Sequence, residues 1–261
     1  MKAQLLTFKK YRYLLQDLTA RDLKVKYRRS VLGFAWSILN PFLMMLVITA
    51  VFQNIFKFEV DYFPIYYLTG ALLYNFVVEA TNGSMTSIIG GASLIKKVYI
   101  PKYIFPLEKC IFAFVNMVFS LIAVVIMILI LQMPVHWTVF LFPIPMIYTL
   151  VFAVGFGLIL AAGNVFFRDI GHLYSVFTTA WMYLTPIIYP MEVLSNMPSW
   201  LTVVIKFNPL YHYVNYFRQV VMYGTVPTLF TNLVCAFSSL VFLALGIFIF
   251  KKSQDRFILY V

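Results

Sequence analysis

A chain of 261 residues that is 62% hydrophobic and only 11% charged, with a mean hydropathy of +0.89, excludes an ordinary soluble fold. Soluble domains carry about 25% charged residues, and a soluble interior of this size cannot hide so much apolar surface, so the solvent must be largely lipid. The net charge of +11 then marks cytoplasmic loops and contact with anionic lipid headgroups, and no nucleic-acid partner is expected.

The chain opens on a polar, basic segment without the features of a secretory signal peptide. In Leu5–Tyr27, Phe8, Tyr11, Leu15, Leu18 and Val25 fall near one helical face with Lys and Arg elsewhere. This predicts an amphipathic interface helix over residues 1–30, lying in the inner headgroup region. Residues 31–261 read as a single transmembrane domain. Six apolar runs approach the length needed to cross about 30 Å of hydrocarbon: 31–56, 64–81, 111–131, 140–163, 173–190 and 229–250. The expected fold is therefore an all-α integral membrane protein with six spans.

Sidedness follows from Lys and Arg. Nine precede Val31; Lys96, Lys97, Lys102 and Lys109 follow the second run, Arg168 the fourth, and Lys251, Lys252 and Arg256 the sixth. The opposite side has only Lys57, Lys206 and Arg218. Both termini are expected in the cytoplasm, as six spans require. Two connections are unusual. "GGASLIKKVYIP" (Gly90–Pro101) has room for a very short helix at about 92–100 with a basic, aromatic tip, between two glycines and a proline. Met191–Pro227 is too apolar for a wet loop and breaks at Asn208-Pro209 into two pieces, neither able to span. A re-entrant pair over about 195–223 fits, provided protein buries its backbone; the alternative is two helices lying flat on the outer leaflet.

Enzyme chemistry is not visible. None of the eleven glycines is followed by Lys, so no P-loop can cradle ATP. There is no H-E-x-x-H and no G-x-S-x-G, and His136, His172 and His212 are isolated. No catalytic residue or metal ligand is assigned. Cys110 and Cys235 sit in apolar runs and read as small core residues.

Polar groups inside the runs carry more. Asn75, Glu79, Asn82 and Thr86 are spaced 4, 3 and 4, which puts them on one stripe of a helix. The stripe either lines a hydrophilic path or makes interhelical hydrogen bonds. Tyr74, Trp181 and Tyr183 lie deep enough in their runs to join such a path, since aromatic faces stack on sugar rings. Ala153, Gly157 and Ala161 form a small-residue ridge suited to close helix packing. The adjacent Arg168 and Asp169 in "NVFFRDIGHLY" read as a tight cytoplasmic turn. Asp169 is placed to cap the next helix, and Arg168 to hold a lipid phosphate, Asp17 or Asp22.

Five segments in order, "YRRSVLGFAWSILNP" (Tyr27–Pro41), "KKVYIPKYIFP" (Lys96–Pro106), "NVFFRDIGHL" (Asn164–Leu173), "YLTPIIYP" (Tyr183–Pro190) and "FNPLYHYVNYFR" (Phe207–Arg218), resemble the membrane subunit of type-2 ABC exporters for polysaccharides and polyol phosphates, the permeases of O-antigen, capsule and teichoic-acid export. The resemblance covers nearly the whole chain. It implies two copies of the permease paired with two separate ATP-binding cassette subunits, which would bind Mg-ATP; no cofactor is expected in this chain. It implies ATPase coupling through Lys96, Lys97, Val98 and Tyr99 and through Arg21, Asp22 and Arg28 of the interface helix. It also implies a re-entrant outer closure around Asn208, Pro209 and Arg218, a lipid-linked glycan as cargo, and a multi-pass location in the bacterial plasma membrane. The runner-up expectation is a type-2 permease for a drug or small lipid; an ATPase-independent secondary transporter ranks behind it for want of internal repeats and intramembrane ionisable groups.

Overall fold

The structure is a computed structural model that describes residues 2–28, 30–54, 60–98, 100–189 and 198–260, with side chains throughout except at 2–10, 27 and 54. The described residues are almost entirely helical: α1 (Lys2–Tyr27), α2 (Trp36–Asn54), α3 (Phe63–Gly90), α4 (Ala92–Lys97), α5 (Ile104–Ile130), α6 (Pro143–Phe166), α7 (Ile170–Tyr183), α8 (Ser199–Phe207), α9 (Pro209–Val221) and α10 (Leu229–Ser253). Short 3-10 turns precede α2 and α6, and a third, Gln254–Leu259, continues α10.

Among the described residues, four helical segments are long and apolar enough to cross a membrane: Gly33–Gln53, Ile104–Ile130, Trp137–Phe166 and Leu229–Leu259. They contain the first, third, fourth and sixth expected runs, apart from residues 31–32, 54–56 and Leu131. α3 is longer than expected, at 28 residues, about 42 Å at 1.5 Å per residue; its polar stripe lowers its hydropathy below that of the other four. α7 stops at Tyr183 after 14 residues, about 21 Å of helix. The expected run to Pro190 is thus helical only in its first part. Pro186 disfavours helical geometry at Thr185, and turns follow through Tyr189.

The core is built on α3 and α6. α3 lies against α5 and α6, α6 lies against α10, and α9 packs on α3, α6 and α10. Residues Leu73, Val77, Ala113, Phe152, Tyr213 and Val220 are buried in one continuous cluster. A second cluster closes one end of the bundle and joins Leu15 and Leu18 of α1 to Ile88, Ile104, Val165, Phe250 and Phe257. α1 and the C-terminal part of α10 with its extension therefore meet at the same end. Tyr11, Leu15 and Leu18 pack on this cluster, whereas Val25 is 64% exposed. Beyond Leu18 the packing role passes to ion pairs.

The expected ridge does pack: Ala153 and Ala161 are buried, and a Cβ on Gly157 would meet Ser84 Oγ of α3 at 2.7 Å. The tightest helix approach is elsewhere. Gly155 of α6 and Gly246 of α10 meet backbone to backbone, and a Cβ on either would collide with the other helix's main chain. Only glycine permits that separation, as at small-residue helix contacts in membranes.

Candidate functional site: a polar stripe and its charged supports

α3 buries most of its side chains, and its exposed residues are Asn75, Asn82, Thr86 and the terminal Gly90. The face that an isolated protomer turns outward is therefore polar. Thr86 turns its hydroxyl back to the carbonyls of Asn82 and Gly83. The side-chain amides of Asn75 and Asn82 have no hydrogen-bond partner among the described residues. Lipid cannot supply one, and unsatisfied polar groups in hydrocarbon cost several kcal/mol each. This face must meet water or another protein.

Glu79 sits in the middle of the stripe and is held from two sides. Lys26 Nζ of α1 lies 2.7 Å from Glu79 Oε1, and Asn116 Nδ2 of α5 donates to the same oxygen at 3.1 Å. Lys26 also lies 5.3 Å from the Phe112 ring centre. Ser120, one turn beyond Asn116, donates to the carbonyls of Asn116 and of Ser37 before α2's second turn. One polar track thus links α1, α2, α3 and α5.

A second ion cluster anchors α1 to α5. Asp22 accepts from Lys109 and, at 2.9 Å, pairs with Arg21. Burial pushes the Asp22 carboxyl up, but Lys109 and Arg21 outweigh it and hold the group below the usual carboxylate range. Glu108 is only 3% exposed, with Oε2 at 3.2 Å from Lys109 Nζ and Oε1 without a partner among the described residues. On sequence Glu108 precedes the apolar run, which begins at Ile111. The helix starts at Ile104, two turns earlier, and carries Glu108 and Lys109 into the bundle. Asp22 is thus engaged with Lys109, and Arg168, expected to hold a lipid phosphate, Asp17 or Asp22, forms no ion pair among the described residues. Asp169 is the N-cap residue of α7, but its side chain makes no capping bond; its carbonyl accepts from Leu173 instead. Arg28 is exposed.

α4 follows α3 after Gly91 and exposes Lys96, Lys97 and, just past its end, Val98. Tyr99 lies outside the described residues, as do residues 195–197 of the expected re-entrant segment. Two of the aromatics expected on a path lie inside the protomer. Tyr74 donates to Thr178 O at 2.5 Å, and Trp181 Nε1 donates to Asn208 Oδ1 at 2.7 Å; both are buried. They sit on the inner side of their helices and tie α7 to α3 and α9. Tyr183 is 64% exposed.

Asn208 and Pro209 form the hinge between α8 and α9. The Asn208 side chain accepts from Leu210 N and from Trp181, and donates to Leu184 O and Thr185 Oγ1. Pro209 starts α9 where a missing N–H costs nothing. Arg218 is 1% exposed. Its guanidinium donates to Pro186 O at 2.6 Å, Tyr66 O at 2.9 Å and Ile187 O at 3.3 Å, and lies 3.4 Å from the Tyr66 ring centre. No carboxylate pairs with it among the described residues. Arg218, counted on sequence as an outer-side charge, is a buried clamp joining α9, α3 and the turn after α7.

A family of ABC-2 type transporters matches this chain over residues 13–222. The chain belongs to the ABC-2 type transporter family. Among relatives, this ABC-2 permease is 30% identical over 247 residues to the O-antigen export system permease protein RfbA of Myxococcus xanthus, covering 95% of both chains. It is 27% and 26% identical, each over 246 residues, to two O-antigen export system permease proteins RfbA of Klebsiella pneumoniae, covering 94% of this chain and 93% of each of those. The permease is a multi-pass protein of the bacterial inner membrane.

Proposed function

We propose that two copies of this chain form the membrane path of an ATP-driven exporter for a lipid-linked polysaccharide of the O-antigen kind, or a teichoic-acid-type polymer, moved from the cytoplasmic to the outer face. The observation that carries this is the α3 face. A helix whose exposed side chains are Asn75, Asn82 and Thr86, with Glu79 partly exposed among them, suits contact with water and a hydroxyl-rich polymer once a second copy excludes lipid from it. The relatives' names support the glycan class. Mg-ATP is bound and hydrolysed by two separate ATPase subunits, which dock on the exposed Lys96, Lys97 and Val98. In this arrangement α2, α3, α5, α6, α7 and α10 are the six spans, α8 and α9 are re-entrant on the outer side, and both termini face the cytoplasm.

The ion pairs suggest how motion reaches the path. α1 moves with the ATPase, Asp22–Lys109 couples α1 to α5, and Lys26–Glu79 couples it to the stripe. Opening separates the two copies and frees the stripe for cargo. The test is export of a polyprenyl-linked glycan by the purified complex in vesicles, with Lys96→Glu/Lys97→Glu as the variant. Loss of ATPase co-purification and of export is expected. Survival of both overturns the docking assignment, and transport of small amphiphiles without the glycan overturns the cargo.

A further inference from the structure

We propose that the junction of α10 with its 3-10 extension is a specific site for the phosphate of an anionic glycerophospholipid, in the leaflet at the end of the bundle where α1 meets the C-terminal part of α10. A pocket of about 270 Å³ opens there, lined by Phe166, Lys252, Ser253 and Arg256. Neither Lys252 nor Arg256 forms an ion pair among the described residues, and no carboxylate lines the pocket; the neighbouring Asp255 is exposed and stands outside the lining.

The pocket rests on a rigid base. Phe257 is fully buried and packs on Phe166 and Phe250 at ring distances of 5.9 and 5.3 Å. Tyr260 meets Phe166 edge-on at 5.0 Å. Lys102 donates to Gln254 O at 2.6 Å and lies 5.8 Å from the Phe257 ring centre. These contacts hold the extension against α6 and fix the lateral placement of Arg256 relative to Lys252.

The surroundings select a lipid over a free anion. Leu245, Phe248 and Lys252 are spaced 3 and 4 along α10 and therefore share a face. Leu245 and Phe248 are exposed, so apolar surface lies directly above the cation, where acyl chains would run. Ile258 and Leu259, which follow Arg256 and Phe257 in the extension, are exposed as well. A phosphodiester between an ammonium and a guanidinium, with chains along Phe248 and Leu245, satisfies every group in this arrangement. Arg supplies the forked donors that phosphate favours, Lys a point charge, and Ser253 a hydroxyl.

The experiment measures lipid binding to the full chain in neutral detergent micelles, where no membrane surface potential acts. Phosphatidylglycerol and phosphatidylcholine are titrated at stoichiometric levels, and inorganic phosphate is added alone in a separate arm. Phosphatidylglycerol should bind and phosphatidylcholine should not. Lys252→Gln/Arg256→Gln should weaken binding about thirtyfold. The control Lys251→Gln/Lys24→Gln, which removes the same charge at exposed positions outside the pocket lining, should stay within about threefold of wild type. Equal losses in the two double variants would reduce the effect to net charge and overturn the proposal. Competition by inorganic phosphate at equal concentration would overturn it too, since the site would then recognise a free anion. Both double variants alter exposed residues, and an unchanged thermal midpoint without lipid shows that they are folded.

Discussion

Replacing Arg218 by methionine tests whether a buried cation without a carboxylate partner stabilises this bundle. The guanidinium donates to three carbonyls. Tyr66 O also accepts from Thr69 Oγ1, so it keeps a partner in the variant. Pro186 and Ile187 lie in a turn that offers no replacement donor, and their carbonyls would be orphaned. Each orphan costs about 1–3 kcal/mol, and the lost stacking on Tyr66 adds about 1–2 kcal/mol. Against this, the variant no longer desolvates a guanidinium, which recovers several kcal/mol. The expected net loss is about 2–4 kcal/mol, or roughly 4–16 °C in thermal midpoint for a chain of this size. Arg218→Lys keeps charge and donors but loses the fork and the flat face, and should fall between. The assay is thermal unfolding of the purified chain in detergent, read by loss of the monodisperse peak. A methionine variant as stable as wild type would refute the reasoning, because desolvation would then outweigh the carbonyl bonds.

Gly155→Ala places a methyl against the Phe242 carbonyl of α10. It should destabilise by about 1–3 kcal/mol despite alanine's better helix propensity, while Gly90→Ala, with nothing within 4 Å, should be neutral or stabilising in the same melt. Asp22 has a lowered carboxyl value, so its contribution is complete above the ordinary carboxylate value of about 4 and is lost as pH falls through the lowered one. The stability gap between wild type and Asp22→Asn should thus be full at neutral pH and close in acid; a gap unchanged at about pH 3 would argue against charge as its origin. For Lys26 and Glu79, with side chains 40% and 37% exposed, a double-mutant cycle of Lys26→Met and Glu79→Gln should give a coupling of only about 0.2–1 kcal/mol. Strict additivity would remove the proposed link between α1 and the stripe.

Membrane class, the positions of four spans, the break at Asn208-Pro209 and the polar stripe on α3 were legible in the sequence. Each is a local property: run length, Lys and Arg placement, proline chemistry and helical period are written into short windows. The depth of Glu108 and Lys109 was not legible, because a helix can start two turns before its apolar run when ion partners on another helix await it. The roles of Tyr74 and Trp181 were also hidden. An aromatic in an apolar run carries no mark of which face its helix will bury, and here Thr178 and Asn208 decided that.

Arg218 shows the division most clearly. Its sequence context gave a lone cation beside a proline-broken helix, a surface charge on any local reading. Folding brings the carbonyls of Pro186 and Ile187 and the ring of Tyr66 from distant parts of the chain. The solvent and the cores of the apolar helices follow from composition and period, which short windows carry, although helix ends such as those of α3, α5 and α7 do not. The tertiary structure alone decided which polar groups are shielded and which face outward, because burial of a charge depends on donors and acceptors that meet only when the helices pack.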